Sequence, residues 1–135
     1  MRSAAFVLIF VSLVLLSSCA VFTVPGREVR AADGLFKEKR YNDAITAYRK
    51  VLHDYPDSSW AADARYRLAL ALAFHDNPQK DYHLAVQEFE EFLKLYPKHE
   101  NAREAQNWRE VLKSIEELKQ LDIKHEEKRE KREKR

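Results

Sequence analysis

Few side chains in this 135-residue sequence could do chemistry, and their spacing limits what they could do. Five histidines stand at His53, His75, His83, His99 and His125. None belongs to an HExxH pattern, and none lies at a carboxylate or cysteine spacing that gathers a metal. His75 and His83 flank the segment 76–80 and could meet in space, but they read as ordinary loop histidines. There is no glycine-rich phosphate loop and no nucleophile elbow. The sequence therefore predicts no enzyme, no metal and no cofactor. The one cysteine, Cys19, allows no intramolecular disulfide. Its reactivity matters through its position, directly after an apolar run.

That run reads as an address. Arg2 supplies a short positive region, and Ala4 to Leu16 is almost unbroken apolar sequence. It has the length of a signal core and falls short of the roughly 20 residues of a membrane span. It ends in Leu16-Ser17-Ser18-Cys19. This resembles the lipobox of bacterial lipoproteins: an aliphatic residue, two small residues, then cysteine. The resemblance implies cleavage before Cys19 and acyl chains, palmitate among them, on Cys19. An uncleaved anchor helix and a conventional secretory signal are the alternatives. Each buried methylene adds about 0.8 kcal/mol, so several chains hold a protein firmly where one holds it marginally. Residue 20 is alanine and not aspartate. By resemblance to enterobacterial sorting, that implies the periplasmic face of the outer membrane, with the inner membrane as the alternative.

The elements behind these residues come from an internal repeat. Tyr41, Ala44, Leu52, Tyr55, Pro56, Ala61 and Ala64 recur 41 residues later as Tyr82, Ala85, Leu93, Tyr96, Pro97, Ala102 and Ala105. Ile45 and Val86, Tyr48 and Phe89, and Val51 and Phe92 fill the same register. Self-similarity of this length means stacked helix hairpins. Only two glycines and four prolines interrupt the chain, and 34% of it is charged, which suits helices with solvated outer faces. The net charge of +2 gives no global pull toward nucleic acid.

Apolar periodicity predicts helices over 28–39, 42–54, from about 60 to 75, 82–96, and from 102 onward. Asn42, then Asp57, Ser58 and Ser59, then Asn101 with Glu104 offer N-caps. Pro25-Gly26 is expected as a breaker. Gly34 would mark either a close helix approach or fraying. From Lys124 the chain has seven basic against four acidic residues. Glu127–Lys131 and Glu130–Lys134 fall at helical pair spacing, so this tail reads as a helix extension or a disordered end. The expected plan is a signal peptide over 1–18, a lipidated tether over 19–27, an all-α domain over 28–123 and a charged tail over 124–135.

Ala44, Tyr48 and Pro56, then Ala85, Phe89 and Pro97, resemble the tetratricopeptide repeat, with Ala32 and Ala69 in the small-residue positions of the preceding helices. Two features look like the outer-membrane β-barrel assembly lipoprotein (BamD/YfiO) family: the Tyr-Pro-x3-Trp/Asn-Ala-x-Asp/Glu-Ala pattern and the segment DNPQKDYHLAVQEFEEFLKLYP. Two features depart from these families. The unit is 41 residues long where the tetratricopeptide unit has 34, and there are two units where the family carries more. The resemblance implies an all-α short solenoid of antiparallel helix hairpins with a long C-terminal helix. It also implies a concave groove for an envelope protein or peptide, with Phe36, Asp63, Tyr66, Arg67, Leu70 and Phe74 as candidates. Leu70 and Phe74 could equally be core. The expected function is a scaffold in β-barrel assembly; the alternative is an adaptor in cell-wall coordination, pilus or secretion assembly. Two repeats are few for a free-standing solenoid, so packing by the fifth helix or self-association would have to complete the core.

Labelling with a radioactive fatty acid tests the anchor. Incorporation is expected in the full-length chain and lost in Cys19→Ala, which also leaves the membrane fraction.

Overall fold

The computed structural model describes residues 24–134. Among them are five helices: α1 over 24–37, α2 Tyr41–Asp54, α3 Ala61–Ala73, α4 Tyr82–Leu95 and α5 Ala102–Glu133. Short connections fold each helix back on the one before, and α2 packs on α3, α3 on α4 and α4 on α5. The fold is all-α, stacked hairpins closed by a long C-terminal helix, as the periodicity requires. Cys19 and the apolar run before it lie outside the described residues. No described helix is long and apolar enough to cross a membrane.

The repeat is visible in the backbone. Tyr55 and Tyr96 end α2 and α4 with nearly the same dihedrals, φ −136°, ψ 54° and φ −129°, ψ 54°. The following prolines push both residues out of the helical region. The turns then close with the same bonds: Ser58 N–H to Tyr55 O and Ala61 N–H to Ser58 O, matched by His99 N–H to Tyr96 O and Ala102 N–H to His99 O. The expected caps do not form. Neither Asn101 nor any residue before α3 makes a side-chain cap bond, because these turns satisfy amides through backbone carbonyls. Asn42 lies inside α2 and donates to Gln79 Oε1 instead (2.7 Å). Among the helices α2 to α5, Asp81 alone caps through its side chain, accepting from Leu84 N–H at 2.9 Å.

Two further expectations are corrected, and one left open between two alternatives is decided. Pro25-Gly26 does not break the chain, because both residues lie within α1 and are buried. A Cβ at Gly26 would meet the Trp60 indole at 2.6–2.9 Å, so glycine lets the tryptophan lie flat on α1. The expected tether therefore overlaps the folded domain over 24–27. Next, α1 ends at residue 37, earlier than periodicity suggested. Lys39 takes φ 63°, and Lys39 and Arg40 N–H bond back to Phe36 O and Leu35 O. This is the left-handed helix ending usually built on glycine. Finally, the charged tail continues α5, which at 32 residues is about 48 Å long.

α3 ends on a side chain that composition does not point to. Asn77 is fully buried. Its Nδ2 donates to Ala71 O at 3.0 Å, and its Oδ1 accepts from Gln79 N–H at 2.9 Å. Asp81 N–H takes Leu72 O. Two of the last four carbonyls of α3, those of Ala71 and Leu72, are thus satisfied by protein donors, which helps an all-round apolar helix to stop in the interior.

α5 completes the core from one side. Ala105 and Leu112 are buried against α4, and Lys113 pairs with Glu90 at 2.6 Å. Its other side differs from that of α3. Where α3 presents Tyr66, Ala69 and Ala73, the residues 41 later are Asn107, Glu110 and Ser114. A polar outer face lets a terminal helix end a solenoid without leaving core exposed.

Two substitutions should move stability in opposite directions in a urea titration. Asn77→Ala leaves the Ala71 carbonyl unpaired and is expected to cost about 1–3 kcal/mol. Gly34→Ala meets nothing within 4 Å and is expected to stabilise by up to about 1 kcal/mol.

Candidate partner-binding groove

The first helix of each hairpin lines one side of the stack, and a cleft opens there between α1 and α3. Asp33, Phe36, Lys37, Tyr48, Arg67 and Leu70 surround it. Phe36 and Leu70 give an apolar floor, and Lys37 and Arg67 give two cations. The cleft measures about 170 Å³. Small-molecule sites run to about 300–1,000 Å³, so its size suits one large side chain of a partner, not a cofactor. No cluster of three or more metal-ligating side chains occurs among the described residues.

The cleft wall is held by a charged cluster. Tyr48 Oη donates to Asp33 Oδ1 at 2.6 Å, and Arg67 Nη1 donates to Asp33 Oδ2 at 2.8 Å. Both oxygens of Asp33 are therefore engaged. Burial, then the Asp33 carboxylate, pushes the Tyr48 hydroxyl well above the usual tyrosine range, so it stays a donor. Arg67 keeps 40% of its side chain exposed, leaving part of the guanidinium in the cleft.

The six candidate residues do not form one surface. Phe36, Arg67 and Leu70 meet at the cleft. Phe74 sits at its upper edge, packed edge-on against Phe36 with centroids 4.9 Å apart and tilted on Tyr41 at 5.4 Å. Tyr66 is a correction: it points the other way and is buried between α3 and α4, 5.6 Å from the Phe92 ring and 6.0 Å from Phe89. It follows the buried side of its helix, one step round from Arg67. Burial, then the neighbouring Glu104 carboxylate, raises its hydroxyl too. Asp63 lies away from the cleft, at the α4–α5 turn, 3.9 Å from His99 Nε2.

Sequence reasoning also missed residues. Asp33 and Lys37 share a helical stripe with Phe36 at three- and four-residue spacing, which was a usable signal. So was the repeat register. Tyr48 and Arg67 become Phe89 and Trp108 when moved 41 residues, and Leu70 becomes Val111. Trp108 and Val111 are exposed large apolar residues, and Trp108 Nε1 lies 3.4 Å from Glu104 Oε1. The lining is thus polar and cation-bearing at the first step and aromatic at the second.

A family model described as "YfiO: Outer membrane lipoprotein" matches residues 29–135. The chain belongs to the YfiO family of outer membrane lipoproteins. The family match begins within α1 and takes in α2 to α5 with the cleft. No curated protein matches the chain. Membership places the protein with lipoproteins of the envelope.

The two raised hydroxyls give a pH prediction with a fixed sign. The folded state holds protons on Tyr48 and Tyr66 that the unfolded chain releases near pH 10. Their contribution is complete below that pH and declines as pH rises above it. Tyr48→Phe should flatten part of the decline in alkaline urea titrations, and adding Tyr66→Phe should flatten most of it.

Proposed function

We propose that this chain is a lipid-anchored, non-catalytic scaffold on the periplasmic face of the outer membrane. It holds a segment of a partner protein in the α1–α3 groove and serves the assembly of outer-membrane β-barrel proteins. The family supports the compartment. The observation that carries the binding mode is the convergence of Phe36, Leu70 and Arg67 on a cleft of side-chain size, framed by the Asp33–Tyr48–Arg67 cluster. Aromatic and arginine side chains dominate interface energetics. Apolar floor and fixed cation together suit an apolar side chain next to a carboxylate. The Cys19 acyl chains hold this groove at the bilayer surface, which raises the effective concentration of membrane-bound partners.

A photo-reactive side chain at Leu70 in the full-length, lipidated protein tests this in the envelope, with Gln87 on α4 as control. Adducts with a barrel-insertion component or a nascent outer-membrane protein, formed at Leu70 and not at Gln87, are expected. Adducts with cell-wall enzymes, pilus or secretion subunits would overturn the barrel-assembly role and support the adaptor reading. Equal capture at both positions would remove the groove.

A further inference from the structure

From Glu117 onward every described residue of α5 is exposed. From Lys124 on, the helix period sorts most of the charges. Glu126, Glu127, Glu130 and Glu133 fall on one side together with Lys134; Lys124, His125, Lys128, Lys131 and Arg132 fall on the other, and Arg129 lies between them. Of these acids, Glu130 takes an ion pair within the helix, with Lys134 at 3.7 Å. None of the four basic residues Lys124, Lys128, Lys131 and Arg132 has a carboxylate within 4.0 Å among the described residues. Leu118 and Leu121, 61% and 51% exposed, run directly into that basic side. Leu118, Leu121, His125, Lys128 and Arg132 follow at alternating intervals of three and four, the spacing of a helix–helix seam.

We infer that this seam is a second docking surface, separate from the groove, and that it takes an amphipathic helix of another protein that is apolar at one end and acidic at the other. The charges select against a symmetric pair of this chain. A parallel pairing through the seam sets Lys128 against Lys128, and an antiparallel one lays the cations over Leu118 and Leu121. The acidic side of a second copy faces away in both. A carbohydrate polymer would satisfy the cations and leave the leucines wet.

Position argues against a lipid surface. α5 starts at the end of the molecule where α1 begins, since Trp60 lies over Gly26 and His99 lies near Asp63 at the two adjoining turns. It leaves the stack at the opposite end, where Lys119 sits 4.4 Å over the Tyr82 ring at the start of α4. The final dozen residues extend about 18 Å beyond that point. On the lipid-anchored reading proposed above, at most about 18 Å of chain joins Cys19 to α1, so the arm is at the far end from the acyl chains.

The test uses the full-length protein in its own envelope, with photo-reactive side chains at Leu121 and Lys128 on the seam and at Glu130 opposite. The same protein is expected from both seam positions and not from Glu130, with the adduct on a peptide carrying acidic residues at three- and four-residue spacing. Charge reversal by Lys128→Glu with Arg132→Glu should lower the Leu121 adduct by about tenfold or more. Reversing the acids of the captured peptide should restore it. Circular dichroism confirms that the reversed protein stays helical, and the Leu70 adduct should be unchanged, which separates this inference from the groove. Copy-to-copy, lipid or murein adducts at the seam would overturn it. So would no adduct, equal capture at Glu130, or indifference to charge reversal.

Discussion

Everything in this structure depends on how closely its helices approach at alanine. Ala32, Ala44, Ala64, Ala69, Ala85 and Ala105 have no exposed surface. A methyl group at these points lets the next backbone come near enough for Tyr48 and Phe89 to fill the space beside it. Interiors are packed to crystal-like density, so a larger residue would push the helices apart and open the hairpin.

The second theme is one position used in two ways. Tyr48 and Phe89 occupy the same place in successive repeats and bury equivalent rings. Only Tyr48 carries a hydroxyl, and that hydroxyl binds Asp33, which in turn holds Arg67. A buried hydroxyl needs a partner, and the partner needs a cation to balance it. The charged cleft thus follows from one oxygen atom added to an otherwise repeated core. At the next step Phe89 needs no partner, and Trp108 takes the place of the arginine.

The repeat itself was legible from residues alone, because Tyr-Pro turns and alanine–aromatic pairs at a constant offset arise where helix hairpins stack. An anchored end at Cys19 is an expectation from the residues Leu16 to Cys19, which lie outside the described residues. Tyr66 was misplaced because an aromatic residue beside an arginine satisfies both a core and an interface reading. Helix α3 is apolar nearly all round, so its pattern cannot say which side faces a neighbour. The N-caps were misread for a similar reason: asparagine and serine before a helix are good caps, yet the backbone turns here had already taken the amides.

Sequence by itself determined the helices, their order, the proline-ended turns and the membership of the fold class. Those features are local, since dihedral preferences and apolar spacing act within a few residues. Only tertiary structure decided that Asp33, Tyr48 and Arg67 meet, that Asn77 seals the end of α3, that Trp60 rests on Gly26, and that α5 runs on as an exposed arm. Each of these joins residues far apart in the chain, or depends on whether a neighbouring helix is present. Long-range contact is set by packing geometry, and no local pattern of residue types encodes which of two apolar sides a helix will bury.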